Sequence, residues 1–335
     1  VGSPADPDPP TAPTAPAAPT SPGTFSLEGR PAPALYVFSW LLSGLGLGLL
    51  FVAVQVGASD VGRVLLLAAL LLLGLGLTFA AGYQIVARRS RPATAFRGAS
   101  PPLLLGIQIL AAFVIGTPIL FLVGDDASGP GLFLITSVTL FIAYFGVVWL
   151  FGVRGGVFTW GEMGVPSPAS ISRVVAGIGV GVGTMVVVWP LVTVFTVVLS
   201  LLLDSSPPDV VPPVVSQTDL LLTVIGAGLL VPIGEEILFR GYALTAWLRD
   251  LGPRSALIRS TLFFALAHVL GVTASTFDEG GRQALLTVVV ITPVGVTLGL
   301  LFLRRGLLAS IAGHAAFNLF SVLAYYFAQS IPRVA

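Results

Sequence analysis

Nine times between residues 34 and 329 this chain stays apolar for long enough to cross a lipid bilayer as a helix, and nothing constrains its fold more. The segments run roughly 34–56, 63–87, 103–123, 131–152, 172–203, 219–246, 255–272, 284–303 and 307–329. A hydrocarbon core about 30 Å thick takes about 20 helical residues. Backbone groups in lipid are satisfied only within a helix or a closed barrel, and these runs lack the period-two alternation of barrel strands. Only 9% of residues are charged, against about 25% in a soluble domain. The fold class is therefore all-α: a polytopic integral membrane helical bundle of about nine transmembrane helices, with eight as the alternative. Segment 172–203 is long and holds Pro190, which predicts a kink or tilt. Its glycine-rich stretch AGIGVGVG, 176–183, follows no strand. It reads as a close helix–helix seam rather than a nucleotide loop.

Residues 1–33 carry proline every two or three positions among Ala, Thr and Ser. Such a stretch cannot bury a core, and reads as a disordered Pro/Ala-rich cytoplasmic tail without the basic start and apolar stretch of a signal peptide. Residues 34–203 then form an N-terminal group of transmembrane helices and 204–335 a C-terminal group. The connection 88–102 has Arg88, Arg89, Arg91 and Arg97 and no acid, so it is expected on the cytoplasmic side. Alternation puts Arg154, Arg249, Arg254, Arg304 and Arg305 on that side as well. It puts Asp60, Asp125, Asp126, Asp204, Asp209, Asp278 and Glu279 opposite. The expected location is the cell membrane, with the N-terminus in the cytoplasm and the C-terminus outside. No basic surface large enough for a nucleic-acid partner is left over. The absence of cysteine excludes disulfides, thiolate ligands and a cysteine nucleophile. All basic residues besides histidine are arginine, which excludes Schiff-base lysine chemistry.

With the loop charges set aside, a small polar set remains in the last third. Glu235, Glu236 and Arg240 lie in LLLTVIGAGLLVPIGEEILFRGYALTAWL; His268 and His314 are the only histidines. A charge near the bilayer centre costs on the order of 3 kcal/mol or more, so each such group is a functional candidate. Glu235 lies roughly 24 Å beyond Asp219 along a helix. Glu236 and Arg240 share a helix face and can pair, while Glu235 is turned about 100° away. His314 and Asn318 share the same spacing, as do Phe264 and His268. Each feature alone has a structural explanation: an ion pair, a helix–helix hydrogen bond, packing. Their segregation onto three late helices, with none in the first five, favours a shared site.

GEEILFRGY fits an EExxxR pattern, FALAH at 264–268 fits FxxxH, and HAAFN at 314–318 fits HxxxN. In that order, on separate hydrophobic segments, these motifs resemble the CAAX prenyl protease and bacteriocin-processing (Abi) family of intramembrane endopeptidases, which includes the Ras-converting type. The resemblance spans about 219–329. It implies a glutamate-dependent protease that is not a classical zinc enzyme and needs no cofactor. Glu235 would be the general base, with His268 helping to hold the attacking water. His314 and Asn318 would stabilise the oxyanion, with Glu236, Arg240 and Phe264 in support. The implied partners are membrane lipid and a peptide or lipidated protein substrate.

The chemistry leads to similar ground. Peptide hydrolysis needs an activated water, an oxyanion donor and a proton for the leaving amine. Ser310, four residues before His314, offers a Ser–His alternative that leaves the double carboxylate unused. Glu235, His268 and His314 also make a His₂Glu set of the kind a catalytic zinc uses, although HExxH is missing. Two further function classes stay open. A Glu/His chain can carry protons in a transporter, but transporters of the common types show repeated halves, and no second copy of the polar set occurs here. The same fold can also serve a non-catalytic membrane scaffold or immunity protein.

Overall fold

The computed structural model describes residues 26–330 except 58, 124–128, 167–170, 209–210, 273 and 275. The expected tail up to residue 25, and Asp125, Asp126 and Asp209 of the acidic connections, lie outside the described residues. The described residues are helical, without strands. The elements are α1 (Pro33–Val56), α2 (Asp60–Ala87), α3 (Pro101–Val123), α4 (Gly129–Arg154), α5 (Ile171–Leu203), α6 (Gln217–Leu251), α7 (Pro253–His268), α8 (Phe277–Arg305) and α9 (Leu307–Ser330). Eight helices among the described residues are long and apolar enough to cross a bilayer. The exception is α7, which has 16 residues and a length of about 24 Å. The expected seventh span therefore stops short. Its helix ends at His268, passes through a 3₁₀ turn at Val269–Gly271 and becomes extended at Val272.

The outer surface is apolar. In α5 the most apolar window is only 6% buried, and Leu201 and Leu202 point outward. Such a surface is stable against hydrocarbon and not against water. The protein is an integral membrane helical bundle.

Contacts between helices fix their relative directions. Gly46 meets Ala69 and Leu73 while Gly76 meets Ser43, so α1 and α2 are antiparallel. Gly226 packs on Phe133 and Ser137, Gly234 on Tyr144, and Gly152 on Tyr242, so α4 runs parallel to α6. Gly177 and Gly181 pack on Arg305, Ala309 and Gly313, and Trp189 Nε1 donates to Ser321 Oγ at 2.9 Å. These contacts make α5 parallel to α9. Gly299 meets Leu257 and Gly295 meets Thr261 and Phe264, so α7 is antiparallel to α8. Every one of these relations fits helices that alternate in direction along the chain. The seam expected of the glycine-rich stretch is one-sided: a Cβ at Gly181 would lie 2.3 Å from the Ala309 carbonyl oxygen, whereas Gly179 and Gly183 face open space.

Two features position α6, the helix with the paired glutamates. Pro232 has no N–H to donate, and the helix widens into π turns on either side of it, at Val224–Leu230 and Ile237–Leu244. The N–H of Val231 reaches back to Gly226 O, and the Thr245 hydroxyl donates to Arg240 O at 3.3 Å. The second feature is polar anchoring at its C-terminal end. Asp250 accepts from Arg91 and from the Phe96 N–H, the latter at 3.0 Å. Arg249 pairs with Glu162 and stacks on Phe158. The Thr159 backbone N–H, aided by the Thr159 hydroxyl and Arg249, holds the Glu162 carboxyl below the usual carboxylate range. The chain then reverses into α7 at Gly252, whose φ of 76° lies in the left-handed region that favours glycine.

Candidate active site

The three motif-bearing helices meet in the interior. Glu236 and Arg240 on α6 form an ion pair at 2.7 Å with both side chains fully buried. The carboxylate takes two more donors from α9: His314 Nδ1 at 2.9 Å to the same oxygen as Arg240, and the Ser310 hydroxyl at 2.5 Å to the other. Arg240 also donates to Gly295 O on α8 at 3.3 Å and lies over the Phe264 ring of α7, 4.0 Å from its centroid. One buried cluster thus ties four helices together. Its charges are paired and largely hydrogen-bonded, the condition for tolerating them in the interior.

Phe264 is the packing hub. Its ring stands edge-on to His268 and His314, with centroid separations of 4.4 and 5.8 Å. His268 Nδ1 lies 2.8 Å from the Phe264 carbonyl. A carbonyl only accepts, so Nδ1 carries the hydrogen and a neutral His268 presents the Nε2 lone pair. The same reasoning applies to His314, whose Nδ1 faces the Glu236 carboxylate. Both Nε2 atoms point toward Glu235. Each lies 3.9 Å from Glu235 Oε2, and that oxygen is buried without a hydrogen-bond partner among the described residues.

Three acceptors therefore converge on a space that calls for a hydrogen donor. A tetrahedral zinc with bonds of about 2.1 Å would bring its ligand atoms within about 3.4 Å of one another. The observed 3.9 Å lies between that and about 4.6 Å, the separation of two tetrahedral partners of a water at about 2.8 Å, so the spacing admits either occupant. Among the described residues no group of three His, Cys, Asp or Glu has the arrangement of a metal site.

Of the residues singled out by sequence, the structure brings together Glu235, Glu236, Arg240, Phe264, His268 and His314. Asn318, one turn beyond His314 on α9, has its amide nitrogen donating to Ala227 O at 2.8 Å. A second amide hydrogen remains. Ser310 is no free nucleophile, because its hydroxyl serves Glu236 and lies 2.9 Å from Leu298 O. Tyr144 of α4 is buried against Gly234, which precedes the two glutamates in sequence.

Residues 217–320 match the family described as type II CAAX prenyl endopeptidase Rce1-like. The matched stretch contains all seven motif residues named above, in agreement with the resemblance carried by the three motifs. No curated protein and no solved structure matches the chain.

Proposed function

We propose that this protein is a glutamate-dependent intramembrane endopeptidase. Its substrate is the end of a hydrophobic or lipidated peptide, of the CAAX type, cut near the cytoplasmic membrane face. The observation that carries this reading is the convergence of both histidine Nε2 atoms on an unpaired, buried Glu235 oxygen. Glu236, a residue away, is saturated by Arg240, His314 and Ser310. Two adjacent carboxylates thus have separate jobs, one structural and one free to act as base.

The chemistry follows from that division. Glu235 takes a proton from a water held by His268, and the hydroxide adds to the scissile carbonyl carbon. The carbonyl π electrons move onto its oxygen, where Asn318 donates through its second amide hydrogen. His314 joins as a donor through Nε2 only when it carries a second proton. Collapse of the tetrahedral intermediate breaks the C–N bond, and the proton on Glu235 passes to the departing amine. Preorganised donors of this kind are worth roughly 3 kcal/mol each.

Glu235→Gln and His268→Ala should each abolish cleavage of a membrane peptide reporter in reconstituted protein while the thermal transition stays near that of the parent. Normal cutting by both variants would refute the assignment. Dialysis against a tight chelator should leave the activity intact; loss restored by zinc would replace the water held at Glu235 with a His₂Glu metal site.

A further inference from the structure

Two polar side chains of α8 are buried without a task. Gln283 and Thr287 are 7% and 8% exposed, and Gln283 Oε1 and Thr287 Oγ1 have no hydrogen-bond partner among the described residues. Threonines farther along the same helix behave differently. Thr292 returns its hydroxyl to Val288 O at 2.7 Å, and Thr297 to Pro293 O at 2.9 Å. Burying a polar atom unpaired costs free energy, so these two atoms call for an occupant that the protein itself does not supply.

The pair lies beside the candidate active site. Leu257 meets Gly299 and Thr261 meets Gly295; continuing that pairing from Thr261 to His268 reaches about residue 288 of α8. The turn after His268, Val269–Gly271, runs beside α8, and Ala274 lies against Gly280. Gln283 and Thr287 fall between those two levels. The α6 contacts give the same placement. The Ser260 hydroxyl donates to Phe239 O and His268 faces Glu235, so α7 is antiparallel to α6 as well as to α8, and α6 and α8 run parallel. Counted back from the bond between Arg240 and Gly295 O, Glu235 and Thr287 differ by about 5 Å along the axis. At 100° per residue, Thr287 shares a stripe, within about 20°, with Val294 and Leu298. Both are buried, and the Leu298 carbonyl takes the Ser310 hydroxyl of the Glu236 cluster. The stripe faces the interior that holds Glu235.

A peptide cut inside a membrane brings unpaired groups of its own. The stretch being cut is held open rather than helical, and away from water each of its free N–H and C=O groups is costly. Along an extended chain the groups on one edge recur every two residues, about 6.6 Å. Side chains one helical turn apart have Cβ atoms about 5–6 Å apart, a close match. We propose that Gln283 and Thr287 form a binding site for the substrate main chain next to the scissile bond. Gln283 Oε1 accepts from a peptide N–H, and the Thr287 hydroxyl donates to a peptide C=O. An amide oxygen and a hydroxyl used in this way read the backbone and no side chain, so the site adds affinity without sequence preference. This inference rests on the endopeptidase reading given above.

The test measures binding of a membrane peptide reporter to Glu235→Gln protein in lipid nanodiscs, with Gln283→Leu or Thr287→Val added. A reporter series replaces one amide at a time by an ester, which removes one N–H and weakens the carbonyl beside it. Gln283→Leu and Thr287→Val should each weaken binding of the all-amide reporter by about 10-fold, and Thr287→Ser should restore it. One ester should weaken binding similarly, yet add nothing once Gln283→Leu is present; such non-additivity marks a direct contact, and packing alone would not produce it. With Glu235 intact, each variant should raise KM by the same factor and leave kcat near the parent. Losses that add at every ester position, or a fall in kcat at unchanged KM, overturn the main-chain site; with a dead Glu235→Gln they leave the endopeptidase standing. Equal cutting by parent and Glu235→Gln, or none by the parent, removes both. If a variant melts early, the ester coupling of its folded fraction still decides: additive losses overturn the proposal.

Discussion

Glu236 accepts from Arg240, His314 and Ser310 at once, and the consequences of removing each donor differ. Arg240→Ala would leave a fully buried carboxylate without its counter-charge, a loss of about 3–5 kcal/mol. We expect little folded protein from that variant in a thermal melt or a detergent-extraction assay. Ser310→Ala removes one charge-assisted hydrogen bond, worth about 1.5–3 kcal/mol. It should lower the melting temperature and still cut the reporter, whereas a serine nucleophile would leave no activity. The Glu236–Arg240 pair was legible in the sequence because four residues bring side chains onto one helix face. The bonds from α9 to Glu236 were not, because they depend on how two distant helices turn toward each other. His314 and Asn318 share a face as their spacing required, yet Asn318 is drawn to a carbonyl on a π turn that no spacing rule foresees.

Helix seams carry their own test. Gly181 lies where a Cβ would fall 2.3 Å from the Ala309 carbonyl oxygen, and that atom belongs to a backbone that cannot swing aside. Gly179, two residues earlier, faces open space. Gly181→Leu should therefore push α5 off α9 and cost at least the 1–3 kcal/mol typical of overpacking, as an order of magnitude. Gly179→Leu should stay within about 0.5 kcal/mol of the parent, and the two melting curves decide. At this scale most of the fold was readable, since long apolar runs leave a helix little alternative in lipid. The π turns flanking Pro232 were not readable, although a proline in that run made some distortion of the ladder unavoidable. The short α7 was hidden for a different reason. Leu270 and Val272 prolong the hydrophobic run past the point where the helix ends at His268, and hydropathy alone does not distinguish a helix from an extended strand of the same composition.

The end of α7 matters most for the molecule as a whole. Its antiparallel register with α8 pairs Leu257 with Gly299 and Thr261 with Gly295, which carries His268 to the level of about residue 288. From there α8 continues for about 11 residues to its start at Phe277, some 16 Å along its axis. Of the connection that climbs that distance, Val269–Gly271 form a 3₁₀ turn and Val272 is extended. Non-helical backbone at membrane depth persists only when protein covers it or when it lines water. Ala274 is exposed, and we expect water rather than lipid to reach it. On the endopeptidase reading, water must reach Glu235 from outside the lipid. The chain has no cysteine, which makes single-cysteine labelling unambiguous. Ala274→Cys and Asp278→Cys should react with a membrane-impermeant maleimide from one side of sealed vesicles, and Arg89→Cys only from the other. If Ala274→Cys is inert from both sides while Asp278→Cys reacts, the connection is sealed in lipid or protein, and water must reach Glu235 by another path.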